Sequence, residues 1–354
     1  MELLIGMLNI RHDLPANFLT VEARQLHDSL RGPTLIHLPG KRKAPVLVSI
    51  LLHGNEIVGL KAIQDVLLKY QHKPLPRQLI LFVGNIEAAK HGLRKMPNGE
   101  DFNRVWPGTD HSSSGVGDCM RQVVEYARRC QVFVSLDLHN NTGTNPHYSC
   151  ISRVDAKTLQ LALLFARTVV FFRRPLGVQS AALSEICPAL TCECGKIGDA
   201  MGVQRAAELI DACLHMTDLP SHLPPKSDFH LLHTVATLRV APTSSLAFGE
   251  GNQNTDLFFS EKLDHLNFRP LPEKTVIGYR RPGSESRLEV VDEQGFDVES
   301  NFLVMQDDAI VLRRSIIPSM LTTNIQVIRD DCLGYFMEEF EFTGEDSATP
   351  AAST

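Results

Sequence analysis

Val46–Glu56 reads VLVSILLHGNE. Apolar or small residues from Val46 to Leu52, too few for a packed helix, run straight into His53, Gly54, Asn55 and Glu56. A run without polar alternation is what a strand buried on both faces requires, and such strands belong to parallel sheets covered by helices. The run ends by presenting an imidazole and a carboxylate three residues apart, with a glycine between them. Either a helix starts there and its polar residues are incidental, or the strand ends in half of a metal site.

The flanking segments extend the pattern. After His53, the apolar residues Ile57, Leu60, Ile63, Val66 and Leu67 fall at helical spacing. Gln78–Gly84 (QLILFVG) reads as a second buried strand. Val132–Leu138 (VFVSLDL) reads as a third, after the helical Met120–Cys130, and Pro188–Cys194 (PALTCEC) as a further one. Thr158–Phe172 reads as mostly helical and Gly202–Met216 as an amphipathic helix. Strands separated by helices predict an α/β fold: a mostly parallel, mixed sheet with helices on both faces.

The texture changes after Thr217–Asp228 (TDLPSHLPPKSD), a linker-like segment rich in proline and serine. Short β-type runs follow, among them LLHTVATLRV, KTVIGYRR, RLEVV, FLVM and AIVLRR, with helical periods nearly absent. The expected organisation is an α/β domain over 1–225, a smaller β-rich C-terminal domain over 226–341 and a disordered tail over 342–354.

Composition narrows the function. The 354 residues are 43% hydrophobic and 21% charged, an ordinary globular balance. A net charge of −6 gives no general attraction to nucleic acid or anionic lipid, so neither is expected as a partner. No run reaches the roughly 18 apolar residues that span a bilayer. The first residues lack a basic segment leading into an apolar core. The 8 cysteines form no disulfide framework, so a reducing cytoplasm is the expected setting. Nothing in the sequence fixes an oligomeric state.

In open parallel sheets ligands gather at the carboxyl ends of the strands. The first strand leads into His53 and Glu56, the third ends in Asp137 and His139 (SLDLHNNTGT), and the later one carries Glu193 (LTCECG). Singly, each has an ordinary explanation. A histidine at a strand end is commonly a hydrogen-bonded core or surface residue. Glu56 is a first-turn carboxylate favoured by the helix dipole. Asp137 is an acid that orients His139. Together they fall at strand ends on what should be one edge, which a chance gathering explains poorly. Two histidines and a carboxylate are a common zinc set with a fourth position left open, and Gly54 lets the chain turn sharply after the strand. Cys192 and Cys194 flank Glu193, but strand alternation turns both away from its face, as core residues.

Between the second and third strands lies Gly84–Gly108 (GNIEAAKHGLRKMPNGEDFNRVWPG), read as a long loop carrying Arg94, Lys95, Asn103 and Arg104. Long loops in compact domains are usually functional. A guanidinium fork suits bidentate capture of a carboxylate. The plainer alternative is a solvated basic loop.

HGNE at 53–56, DFNRVWPG at 101–108, SLDLHN at 135–140 and TCECG at 191–195, in that order, resemble the metallocarboxypeptidase superfamily and, within it, the succinylglutamate desuccinylase/aspartoacylase family. The likeness runs from Gly32 to Met216. A β-rich C-terminal domain also fits this branch and fits the digestive carboxypeptidases poorly. The resemblance implies a zinc carboxypeptidase-like fold with one Zn2+ per chain, held by His53, Glu56 and His139. It implies Glu193 as general base, Arg94 polarising the scissile carbonyl, and Asn103 with Arg104 holding a free carboxylate of the substrate. Asp137 then stands behind a metal ligand. One departure is that Phe171 and Phe172 occupy the region where digestive carboxypeptidases carry an active-site tyrosine.

The implied activity is zinc-dependent hydrolysis of an amide bond in a small carboxylate-bearing substrate, as in N-acyl amino acid deacylation. Removal of C-terminal residues from peptides would use the same anchors and is the second expectation. A non-catalytic metal- or ligand-binding protein on the same scaffold is the third, and the full complement of ligands and base argues against it.

Overall fold

The structure, a computed structural model, describes residues 8–109, 114–249 and 255–342. The tail expected over 342–354 lies outside them apart from Phe342. The chain divides into two compact units. One takes in the residues up to Asn140 and His147–His230; the other takes in Asn141–Pro146 and Leu231–Glu341. The division falls after His230, not at 225. Arg167 supplies the reason: its Nε and Nη2 donate to the carbonyls of Asp228 and Ser227 at 2.9 and 2.8 Å, and its own carbonyl accepts from the His230 amide at 2.8 Å.

The first unit contains strands β1 (Asn9–Arg11), β2 (Thr34–Leu38), β3 (Gly40–Ile50), β4 (Leu75–Val83), β5 (Val134–Asn141), β6 (Tyr148–Ile151), β7 (Thr168–Phe171) and β8 (Ala189–Lys196). Their order in the sheet is β1-β2-β4-β3-β5-β8-β6-β7. β3 runs parallel to both β4 and β5, as β1 does to β2 and β6 to β7, while β2–β4 and β6–β8 are antiparallel. The sheet is therefore mixed and mostly parallel.

Helices α1 (Val58–Lys69), α2 (Ile86–His91), α3 (Gly115–Arg129), α4 (Ala156–Leu163), α5 (Gln179–Ser184) and α6 (Ala200–His215) connect the strands. On one face Leu47, Ile80 and Phe82 share a core with Met120 and Val123 of α3, Leu183 of α5 and the single tryptophan, Trp106. On the other, α1 packs on β3 and against α6. It sits so close that a Cβ on Gly59 would lie 2.6 Å from Ile50 Cγ2. Both parities of β3 from Val46 to Ile50 are buried, and this is the physical origin of its uniform run of apolar and small residues.

Three local expectations change. Thr158–Phe172 is helical only to Leu163; Thr168–Phe171 is β7, paired with Ser149–Ile151. Buried on both faces, that strand shows no alternation and so reads as a continuation of the helix. Within the expected loop, Ile86–His91 forms α2. The Asn85 side chain caps it by accepting from the Ala88 amide, and Gly92 closes it in the left-handed region at φ 66°. Glu56 precedes α1, which starts at Val58, and so does not lie in its first turn.

In the second unit β9 (His230–Val240) pairs antiparallel with β13 (Leu288–Asp292) and β17 (Gly334–Glu339), and β16 (Ile317–Ser319) pairs with β17. A five-stranded sheet runs β10 (Leu246–Phe248), β11 (Leu257–Phe259), β12 (Val276–Arg280), β15 (Ala309–Leu312), β14 (Leu303–Gln306). Leu238, Leu257, Phe259, Val290 and Phe336 share its core, and two short helices, α7 (Glu299–Phe302) and α8 (Ile325–Asp330), complete it. Asn141–Pro146 belongs here because Thr144 donates twice to Asp264 Oδ2, at 3.0 and 2.6 Å, and Asn145 Oδ1 accepts from the Met320 amide. Among the described residues no helix is long and apolar enough to cross a membrane.

Candidate metal centre

The chain leaves β3 through Leu51, a fully buried leucine at φ 55°. Left-handed backbone costs a side-chain-bearing residue roughly 1–2 kcal/mol, and such strain gathers at functional sites. Here the Gly84 amide holds the Ile50 carbonyl at 3.0 Å and the Asn85 amide holds the Leu51 carbonyl at 2.7 Å. The next turn presents His53. Gly54 lies in the tight turn its position suggested, closed by the Glu56 amide on the His53 carbonyl at 3.1 Å, and it also serves a close approach: a Cβ there would meet the Ala89 amide of α2 at 2.2 Å. Its own amide donates to the Arg94 carbonyl at 3.1 Å, so the strand end and the following loop are locked together.

His53, Glu56 and His139 each offer a ligand atom, all within 4.8 Å of one another, and the three side chains are buried. His53 Nδ1 lies 2.8 Å from Glu56 Oε1, and His139 Nδ1 lies 2.7 Å from Glu56 Oε2. The imidazoles meet edge to face, with centroids 5.0 Å apart. On their far sides His53 Nε2 reaches Asp101 Oδ1 at 3.1 Å and His139 Nε2 reaches Asp137 Oδ2 at 2.8 Å. The Asn140 amide donates to Glu56 Oε2 at 3.2 Å.

These distances test whether the residues suit a metal. A neutral imidazole that donates Nε2–H to a carboxylate carries its lone pair on Nδ1. Both Nδ1 atoms would then face Glu56 oxygens lone pair to lone pair at hydrogen-bond distance. That geometry is favourable only with protons or a cation between them. Protons are one solution: burial opposes charge on His139, but Asp137 and Glu56 outweigh it and raise its pKa well above the ordinary value. Burial likewise opposes the Glu56 carboxylate, yet the His53 and His139 imidazoles hold its pKa well below the usual range. A divalent cation is the other solution. Two nitrogens and a carboxylate, with each far ring nitrogen bonded to its own acid, suit zinc with a position left open.

The other expected residues lie around this core. Arg94 Nη2 donates to Asp101 Oδ2 at 3.1 Å, and Nη1 stands 3.7 Å from Glu56 Oε1. Asp101 thus joins His53 to Arg94 and also accepts from the Asn103 amide at 2.8 Å. Burial opposes its charge, but His53 and Arg94 hold its pKa well below the ordinary value. Sequence reading passed over Asp101; its only signal was an acid two residues before Asn103. Asn103 is buried and faces Asp137. Arg104 is half-buried and donates from Nη1 to the Asn103 carbonyl at 2.8 Å. Trp106 anchors the segment, with Nε1 bonded to the Phe102 carbonyl at 2.8 Å and the ring edge-on to Phe82.

Residues 44–217 match the family model of the succinylglutamate desuccinylase/aspartoacylase catalytic domain. The first unit belongs to the succinylglutamate desuccinylase/aspartoacylase family. No curated protein matches the chain by sequence. Solved structures share its fold. A succinylglutamate desuccinylase/aspartoacylase from Rhodobacter sphaeroides is 15% identical over 87% of this chain and 89% of that one, with a TM-score of 0.57. Succinylglutamate desuccinylase from Chromobacterium violaceum is 16% identical, with coverages of 85% and 86% and a TM-score of 0.52. Murine aminoacylase 3 is 14% identical, with coverages of 85% and 97% and a TM-score of 0.53.

In this desuccinylase/aspartoacylase-family unit Glu193 lies on β8, the sheet neighbour of β5, directly opposite Tyr148 of β6, and is 7% exposed. Cys192 and Cys194 are fully buried. Burial, then the charges of Glu193 and Glu56, push the Cys194 thiol's pKa well up, and its Sγ lies 3.4 Å from the Cys192 carbonyl. Phe171 and Phe172 are core residues.

Proposed function

We propose that the chain is a zinc-dependent deacylase. It hydrolyses the amide bond of a small carboxylate-bearing substrate, an N-acyl amino acid, with one zinc ion per chain held by His53, Glu56 and His139. The observation that carries this reading is the pair of Nδ1 atoms facing one carboxylate while each Nε2 is committed to a separate acid. Relatives named as desuccinylases and as an aminoacylase support the deacylase assignment.

Bound zinc supplies Lewis acidity, polarising a carbonyl and lowering the pKa of water towards neutrality. Glu193 is the general base: it accepts the proton of the attacking water and passes it to the leaving amine. Arg94, braced by Asp101, donates to the carbonyl oxygen as negative charge develops there. Arg104 holds the substrate's free carboxylate through its planar fork and sets which amide meets the base. The free state of all 8 cysteines fits a reducing cytoplasm, where we place the protein.

A panel of N-acyl amino acids and C-terminal peptides, offered to wild type and Glu193→Gln, tests the proposal. The expected result is turnover of an N-acyl amino acid by the wild type. In Glu193→Gln it should fall by about 10²–10⁴-fold with the metal retained. Full activity in Glu193→Gln, or turnover of peptides alone, contradicts it.

A further inference from the structure

Asn140 follows His139 near the end of β5 and is 4% exposed. The orientation of its amide is fixed by its neighbours. The Val58 amide lies 3.1 Å from Oδ1. A backbone N–H only donates, so the atom facing it is the carbonyl oxygen and the other atom carries both N–H donors. Nδ2 donates to the Gly195 carbonyl at 3.1 Å and to the Lys196 carbonyl at 3.2 Å. Both donors of the side chain are therefore committed to the protein.

These bonds join three elements. Val58 opens α1 two residues after Glu56, and Ile57 before it supplies no side-chain cap, so Asn140 Oδ1 satisfies one of the helix's first amides. Gly195 and Lys196 end β8, two and three residues beyond Glu193. The pairing of β6 with β8 reaches Glu193, opposite Tyr148, and Asn140 grips β8 just past that point. The main chain of Asn140 completes the link, since its own amide donates to Glu56 Oε2 at 3.2 Å. One buried residue thus touches Glu56 through its backbone and, through its side chain, the strand that carries Glu193.

We infer that Asn140 is a positioning residue that sets Glu193 against the metal ligands, by fastening the end of β8 to the end of β5. Rates depend steeply on such placement, and a displacement of about 1 Å can cost about 10²-fold. With its donors committed, Asn140 acts on the base without touching the substrate. The inference rests on the metal site and on the reading of Glu193 as general base.

A double-mutant cycle on the full chain separates this role from general support of the fold. Asn140→Ala should bind zinc about as tightly as wild type in competition with a fluorescent chelator, because its contact with Glu56 is through the backbone. At saturating zinc its kcat for the N-acyl amino acid hydrolysed by wild type should fall by about 10²-fold, with KM unchanged. In a Glu193→Gln background the same substitution should cost little more, because residues that act as a unit are not additive. If Asn140→Ala does not fold, Asn140→Asp carries the test. It keeps an acceptor for the Val58 amide but sets an oxygen against the two carbonyls of β8, so it should show the same loss and the same non-additivity. Wild-type kcat in the folded variant, or equal fold-losses in the two backgrounds, overturns the inference alone. So does weakened zinc binding with kcat restored at saturating zinc, which would place the action of Asn140 on Glu56 instead. Full activity in Glu193→Gln, or a wild-type chain that takes up no zinc, overturns the reading of the site and the inference with it.

Discussion

At the scale of single residues, Asp101 has the widest reach. One carboxylate accepts from a ring nitrogen of His53, a guanidinium nitrogen of Arg94 and the Asn103 backbone. The proposed metal ligand His53 and Arg94, proposed to polarise the scissile carbonyl, therefore share one support. Asp101→Asn keeps an acceptor for His53 but gives up the charge that holds Arg94. Its zinc affinity should fall by about tenfold, the low end for a partner behind a ligand. Its kcat/KM at saturating zinc should fall further, because Arg94 loses its brace. Chelator competition and steady-state kinetics on the same preparation check this, and a variant matching wild type in both would sink the idea. The residues most legible in sequence are those tied to a strand end that the structure gathers into one cluster: His53 and Glu56 after an apolar run, and His139 in a second. Asp101 is not legible: it reaches the site through loop geometry, and no periodicity marks a loop residue's partner.

At the scale of elements, the start of α6 combines a cap with a titration. Asp199 Oδ1 accepts from the Met201 and Gly202 amides at 2.9 and 3.2 Å, and Oδ2 accepts from His147 Nε2 at 2.8 Å. The His147 bond chiefly, with the helix amides, holds the carboxyl's pKa below its ordinary 3.8. A depressed carboxyl contributes stability that is present above its unfolded pKa and lost as pH falls through the folded one. Asp199→Ala should therefore cost about 1 kcal/mol at neutral pH. That gap should hold down to about pH 4 and narrow below it. Urea titrations of both proteins at a series of pH values measure the gap, and one that stays constant into the acid range contradicts the role. The elements also show where sequence reading falls short. β7 was absorbed into a helix because a strand covered on both faces has no alternation to betray it. α2 has the composition of a loop although Asn85 and Gly92 stand at its ends as cap and stop.

At the scale of the whole molecule, alternating strands and helices followed by short β runs predicted the architecture found: a mixed, mostly parallel sheet with helices on both faces, and a β-rich C-terminal region. That much follows from burial patterns that repeat over many residues. The exact division of the chain does not. It depends on the hydrogen bonds of Arg167 at one boundary and of Thr144 and Asn145 in a six-residue segment that joins the other unit.

The central claim is that the first unit folds around a zinc site, and elemental analysis of the purified protein tests it most directly. Wild type should carry about one zinc per chain. His53→Ala, shown to be folded by circular dichroism, should carry essentially none. No zinc in the wild type, even after reconstitution, or full zinc retained in His53→Ala, would contradict the account.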